Sequence, residues 1–220
     1  MFEKLLNLKS KGYEPSIIFD IGAHHGNWTI NMASIYPNSQ YYLFEGIDYP
    51  ELYRFDNIDN VNVYNAVLND KPEYVNWYQK KNTGDSIFKE KTIHFQDCEI
   101  IKKKTIDLDS FILQNELKIK DSDNILIKID CQGAEIPILK GSTSILEKTD
   151  FIILEIPLFG NFNEGVPDFL EHIKFMDSIG FVSYDIVDNH YINGFNMQID
   201  MLFINKSHNF NNIVNELLMK

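Results

Sequence analysis

Arginine is almost missing from this chain: among 220 residues Arg54 stands alone. Planar bidentate grips on phosphate are therefore scarce. Basic residues are outnumbered too, 20 Lys and Arg against 32 Asp and Glu, for a formal net charge of -12. So acidic a chain lacks the basic stripes that displace counterions from nucleic acid, and no nucleic-acid partner is expected. The one lysine run, Lys102-Lys103-Lys104, is short and reads as solvated surface. Cys98 and Cys131 are the only cysteines. They are too few and too far apart for a disulfide framework, and both are expected to be reduced. No stretch approaches the ~20 apolar residues that cross a bilayer. The N-terminus, Met1-Phe2-Glu3-Lys4-Leu5-Leu6, lacks the continuous apolar core of a signal peptide. These absences describe a soluble, cytoplasmic protein. What is present, 44% hydrophobic and 24% charged residues, is ordinary for a globular fold. The length suits a single domain over residues 1–220 with a sizeable core.

The order of elements follows from hydrophobic period and turn residues. Residues 2–11 predict a short amphipathic helix, stopped by Gly12 and Pro15, which makes 1–14 an N-terminal segment. Strand one is 17–20, and a helix over 27–36 follows before Pro37. Strand two, 41–45, is apolar and aromatic along its length, as buried parallel strands tend to be. A helix over 49–56 and a third strand over 61–67 come next. Across 73–104 the helical period is lost. Alternation at 74–78, a turn at Thr83-Gly84-Asp85-Ser86 and an extended piece at 98–101 predict a small antiparallel β insertion, a lid over the site. Alternation resumes with helix 107–116, strand 125–130, helix 134–146, strand 151–156 and helix 166–179. The last strands, 181–187 and 198–204, are joined by a polar loop too short for a crossover helix, so they should pair antiparallel. The sum is a three-layer α/β sandwich, in which ligands bind outside the carboxyl ends of the strands. Asp20, Glu45, Asn65, Asp130 and Glu155 all fall at or near such ends.

The most informative stretch is Ile17-Ile18-Phe19-Asp20-Ile21-Gly22-Ala23-His24-His25-Gly26. An apolar strand ends in an acid, a tight glycine turn follows, and a helix begins at Asn27, the shape of a nucleoside-cofactor βα unit. An acid before the turn repels pyrophosphate and welcomes a positively charged amino-acid end, which favours S-adenosylmethionine over NAD. The dehydrogenase pattern G-x-G-x-x-G also lacks its middle glycine, since His24 stands there. Gly22 and Gly26 let backbone approach the ligand, and Glu45 is placed to accept two ribose hydroxyls. Asn65 and Ala66, ending the third strand, are expected to complete the cofactor pocket, with His24 turned toward the cofactor loop. No metal is expected: adjacent His24 and His25 rarely point at one ion, and no His or Cys pair sits at ligand spacing.

Phe19-Asp20-Ile21-Gly22-Ala23-His24-His25-Gly26-Asn27-Trp28-Thr29 resembles the first motif of the FkbM family of S-adenosylmethionine-dependent methyltransferases. Lys128-Ile129-Asp130-Cys131-Gln132-Gly133-Ala134-Glu135 with Leu139-Lys140-Gly141 resembles its second signature, and Thr105-Ile106-Asp107 the short segment before it. The resemblance runs from about Ile17 to Phe203. It implies a class I methyltransferase fold, Rossmann-like, with strand order 3-2-1-4-5-7-6 and strand seven antiparallel. The matching cofactor positions are Asp20, Gly22, Ala23, Gly26 and Glu45. His24 and Gln132 stand where the family often has Asn and Glu, and the second departure counts against an essential carboxylate at 132. The resemblance also implies an O-methyltransferase whose acceptor is a hydroxyl of a carbohydrate or secondary metabolite. An NAD-dependent oxidoreductase and a non-catalytic Rossmann-like module are the competing readings.

Methyl transfer to a hydroxyl needs orientation, exclusion of water and a place for the proton. Asp130 is the first candidate for that base, or for holding the donor's ammonium, or it caps the helix that follows. Lys128, two residues earlier on the same strand face, needs an anionic partner, with Glu155 favoured and Asp130 the alternative. Glu135, at a helix start, suits the dipole without a catalytic role. Residues 80–97, with Ser86, His94 and Asp97, should cover the substrate side, and His94 is a second candidate base. The polar loop 188–194 is either a further wall or an exposed hairpin connection. Trp28 and Trp77 could stack on a ligand, though core packing is their commoner use.

Overall fold

A computed structural model describes residues 1–219. The strands β1 (Ile17–Ile21), β2 (Gln40–Glu45), β3 (Val61–Asn65), β7 (Ile125–Ile129), β8 (Thr149–Pro157), β9 (Phe181–Ile192) and β10 (Phe195–Asn205) form one seven-stranded sheet. Its order is β3-β2-β1-β7-β8-β10-β9, which in terms of the strands read from sequence is 3-2-1-4-5-7-6. The first five run parallel, and β10 pairs antiparallel with both β8 and β9. This is the class I methyltransferase fold.

Central strands β1 and β7 are buried at every residue, because helices cover both faces of the sheet. Ile17, Phe19 and Ile21 face one layer, packing with Phe111, Leu139 and Met176. These come from the helices α3 (Leu108–Gln114), α4 (Glu135–Lys140) and α6 (Phe169–Ser178). Ile18 faces the other layer, with Leu5 of α1 (Phe2–Ser10) and Met32 of α2 (Asn27–Ile35). Asp20 shares the face of Ile18, so a carboxylate is sent into that second layer.

A second sheet of three strands, β4 (Val67–Leu68), β6 (Glu99–Ile106) and β5 (Tyr74–Gln79), is the expected insertion. β5 and β6 are antiparallel, but β4 joins β6 in parallel. The third strand therefore stops at Asn65, and after Ala66 the chain leaves the main sheet for the small one.

Four other expectations are corrected. Residues 49–56 form only a 3-10 helix, Pro50–Phe55. The helix expected over 134–146 breaks after α4 and restarts as α5 (Thr143–Leu146). Gly141 sits at the break, where a Cβ would overlap the Asn69 carbonyl oxygen of the chain crossing above. The stretch 188–194 is no loop: β9 and β10 continue through it to a two-residue turn at Asn193 (φ 51) and Gly194 (φ 84). Positive φ at both positions suits the twist of a tight hairpin. The helix α6 starts later than expected, at Phe169, where Asp168 and Glu171 close a reciprocal capping box. A last helix, α7 (Phe210–Leu218), follows the sheet. No described helix is long and apolar enough to cross a membrane.

Candidate active site

The glycine turn after β1 is held from two sides. Gly22 and Ala23 N–H both donate to the Phe44 carbonyl, at 2.9 and 3.1 Å, and Asp130 N–H donates to the Ile21 carbonyl at 3.0 Å. Gly22 has φ 76, and a Cβ there would overlap the Asp130 carbonyl oxygen. Gly26, at φ 71, starts α2, and a Cβ there would meet the Phe55 ring. Between them the His24 and His25 rings stack with centroids 3.7 Å apart, edge-on to Tyr49. Burial, then the neighbouring His25, lowers the His24 pKa.

Asp20 lies beneath this turn with no exposed surface. Thr29 Oγ1 donates to it at 2.7 Å, and Lys128 Nζ lies 3.2 Å away. Lys128 also reaches Asp130 at 3.5 Å and donates to the Gly22 carbonyl at 3.0 Å. Burial works against the Lys128 charge, but Asp20 and Asp130 outweigh it and hold the ammonium above its usual range. The partners of Lys128 are thus Asp20 and Asp130. Glu155, the favoured partner from sequence, is instead bound by Gln132, whose Nε2 donates to it at 2.6 Å and to Asp130 at 3.1 Å.

A cavity of about 510 Å³ opens over the carboxyl ends of these strands, a size that suits a nucleoside-bearing ligand. One part of its wall comes from Gly22, His24, Glu45, Gly46, Ala66 and Trp77. Glu45 is buried, and its carboxylate accepts from His24 N–H at 2.7 Å and from Ile47 N–H at 2.9 Å. Burial pushes its pKa up, against those two backbone donors. Each oxygen keeps a further lone pair for a ligand hydroxyl. Asp20, Ala23, Gly26 and Asn65 do not line the cavity. Asn65 turns back to donate to the Glu45 carbonyl at 3.1 Å. Trp77 is a cavity wall, whereas the Trp28 indole N–H points at the Met1 sulfur, 2.9 Å away.

Asp130, Gln132, Glu155, His190 and Gln198 supply another part of the wall. Glu155 faces Asp200 across the β8–β10 pair, and burial, then Asp130, Glu135 and Asp200, raise its pKa well above the carboxylate range. His190 Nε2 lies 2.9 Å from Asp200 Oδ2, and that hydrogen bond raises the histidine pKa. With Nε2 donating to the carboxylate, the neutral ring carries its free lone pair on Nδ1. His190 and Gln198 reach the cavity because the hairpin is long, which its polar composition hid.

Two segments close over this wall. Ser86, fully buried, donates to the carbonyls of Cys131 and Gln132 at 3.0 and 3.2 Å, tying the insertion to the turn after β7. Residues 88–91 and 162–164 zip together: Lys91 N–H to the Phe162 carbonyl at 2.7 Å, Glu164 N–H to the Lys89 carbonyl at 2.8 Å, and Asn163 Nδ2 to the Phe88 carbonyl at 2.9 Å. His94 lines the cavity from an exposed position, and Asp97 does not reach it.

Glu135 lies under the same turn, almost wholly buried, accepting from the N–H groups of Cys131 and Gly133 at 2.9 and 3.2 Å. Burial raises its pKa to about 7 from an ordinary 4.5. A carboxyl that holds its proton more tightly when folded favours folding below about pH 4.5, and that contribution is lost as pH climbs through about 7. Wild-type protein should therefore lose stability relative to Glu135→Gln over this window. The loss should be on the order of 3 kcal/mol, read from urea midpoints at several pH values. Parallel curves for the two proteins would mean that burial does not hold the Glu135 proton.

The sequence matches the methyltransferase FkbM domain over residues 20–183. The chain belongs to this family. Its methyl donor is S-adenosylmethionine. Among solved structures, the methyltransferase FkbM from Methylobacillus flagellatus KT is 15% identical, with TM-score 0.50 over 87% of this chain. The matched region is 43% of that protein, so this chain spans less than half its length. The Burkholderia thailandensis 1,6-didemethyltoxoflavin-N1-methyltransferase is 9% identical, with TM-score 0.53 over 94% of this chain and 77% of its own. At such identities the likeness concerns the fold. No curated protein matches the sequence.

In this methyltransferase, two residues near the cavity do what the motifs alone did not suggest. Gln132 takes a left-handed conformation, φ 54, and places a neutral amide between two carboxylates. Lys103, read from sequence as surface, is half-buried and reaches the Gly46 carbonyl.

Proposed function

We propose that this methyltransferase acts on a hydroxyl of a carbohydrate or secondary metabolite, with residues 73–104 of a single catalytic domain serving as its lid. Glu45 carries the donor-site reading: a buried carboxylate at the end of β2, held by two backbone N–H groups and open to the cavity. It accepts the ribose hydroxyls, while Gly22, Ala66 and Trp77 shape the surrounding wall. Asp20, Ala23, Gly26 and Asn65 act from behind, shaping the turn and the ends of β2 and β3. The bound donor supplies an activated methyl group. The chain supplies orientation, exclusion of water and a proton acceptor.

Asp130, its carboxylate fixed by Lys128 and Gln132, is placed to take up the acceptor proton. The His190–Asp200 pair is a second acceptor at this wall: the hydrogen bond to Asp200 raises the histidine pKa, which makes the ring a better proton acceptor. His94, at the exposed rim, contacts the acceptor as it enters. The supporting observation for an oxygen nucleophile is this set of proton-accepting groups at one cavity wall.

Calorimetric titration with S-adenosylhomocysteine and with NAD tests the donor assignment, the first binding and the second not. Glu45→Ala should weaken S-adenosylhomocysteine about 10- to 100-fold, as loss of charge-assisted hydrogen bonds implies. The variant should still unfold cooperatively, at a lower urea midpoint because His24 and Ile47 N–H lose their acceptor. Unaltered affinity would remove the ribose assignment. A methyl-transfer screen over glycosides, phenols and amines tests the acceptor class, and transfer confined to amines would overturn it.

A further inference from the structure

The three lysines of β6 do not share one environment. The pleat leaves Lys102 and Lys104 exposed and turns Lys103 to the other face, where it is half-buried. Its Nζ donates to the Gly46 carbonyl and lies 4.9 Å from the centre of the Trp77 ring. Trp77, buried on β5, packs on Gly46 so closely that a Cβ there would lie 2.7 Å from the ring. Gly46 and Trp77 both line the cavity, and Gly46 directly follows Glu45. The ammonium is thus bound to the Gly46–Ile47 peptide, whose N–H donates to the buried Glu45 carboxylate and whose glycine packs on the Trp77 ring.

We infer that Lys103 is a positioning residue of the donor site: from the insertion sheet it fixes the Gly46 peptide and the Trp77 ring as the wall for the adenosine half of the donor, and its charge supports Glu45. This inference rests on the reading that Glu45 accepts the donor's ribose. The small sheet then takes part in donor binding as well as covering the acceptor. Burial works against the Lys103 charge and lowers its pKa, while Glu45 and Asp85 oppose that shift. A lysine held in this way is worth its desolvation only where the cation has anionic company. Glu45 is also faced by Asp20 on β1, Lys128 on β7, the Cys131 thiol and the Tyr49 phenol. All four stay in place when Lys103 is changed, so the variant isolates one cation.

The test is calorimetry on the full chain, wild type against Lys103→Met, with S-adenosylhomocysteine and with adenosine as probes. Both ligands should lose about 10-fold in affinity, the scale of one charge-assisted contact. Affinity for S-adenosylhomocysteine should also begin to fall at a higher pH in the variant, because Glu45 protonates more readily without the nearby cation. A stitch that merely holds the insertion in place would lower the thermal midpoint without moving that acid limb. Lys103→Gln keeps a donor for the Gly46 carbonyl and removes the charge, and it is the variant to read if Lys103→Met does not fold. Unchanged affinity and an unmoved acid limb in a folded variant would overturn the inference. Failure of the wild type to bind S-adenosylhomocysteine at all would instead refute the donor assignment.

Discussion

Gly22→Ala should be among the most destabilising single changes in this chain. The position sits at φ 76, where a side chain costs about 1–2 kcal/mol for handedness alone. The greater cost is steric. The new methyl would overlap the Asp130 carbonyl oxygen, a backbone atom that cannot swing aside as a side chain would. Ile21 and Asp130 are already tied by a 3.0 Å backbone hydrogen bond, so relieving the overlap means prising β1 from β7 at the centre of the sheet. A loss of about 3–5 kcal/mol is expected, a large share of the roughly 5–15 kcal/mol that holds a domain folded. Gly194→Ala is the control. Its φ of 84 is as unfavourable, but nothing lies within 4 Å of the added Cβ. That change should cost only about 1 kcal/mol. Urea denaturation of both variants separates conformation from collision, and equal losses would refute the steric explanation.

Lys128→Met should destabilise on a similar scale for an electrostatic reason. Removing the ammonium leaves Asp20, fully buried, with the Thr29 hydroxyl as its remaining polar side-chain partner. Breaking a buried ion pair from one side typically costs about 3–5 kcal/mol, because the surviving charge is stranded. Neutralising both groups, as Asp20→Asn with Lys128→Met, should recover much of that loss, since the fully buried charge is then gone and Asp130, the other partner, is open to solvent. The coupling read from a double-mutant cycle is the decisive quantity. Strictly additive losses would mean that Lys128 and Asp20 do not stabilise one another. The Lys128 bond to the Gly22 carbonyl adds a second effect, because the single variant also loosens the cofactor turn.

Much of the fold could be read from the sequence because central strands declare themselves as apolar runs that end in acids. β1, β2, β7 and β8 lie close to their expected positions, and the antiparallel end follows from a connection too short for a crossover. The hairpin was underestimated because backbone pairing needs no apolar side chains, so 188–194 looked like loop while its main chain paired. The break at Gly141 depends on where the chain near Asn69 crosses, a contact between segments far apart in sequence.

At the site, the pattern identified which residues gather but not which way they turn. Glu45, Gly22, Ala66 and Asp130 do line one cavity. Asp20 was expected to meet the donor, yet strand alternation sends it toward Thr29 and Lys128. The alternation was legible, but the partner it meets on the buried face was not. Lys103 is the converse case. Its neighbours suggested a solvated run, and only the period of two, applied across Lys102-Lys103-Lys104, would have singled out the middle residue.

The Ser86 hydroxyl bears on how the insertion could be exchanged between relatives. Because it bonds to the carbonyls of Cys131 and Gln132, the insertion acts as a buttress under the peptide that aims Gln132 at Asp130 and Glu155. A transplanted insertion lacking a hydroxyl at that point would take this donor from the Cys131 and Gln132 carbonyls and free the Gln132 amide to leave its two carboxylates. Modularity here has a seam, and any graft must cut on the far side of residue 86.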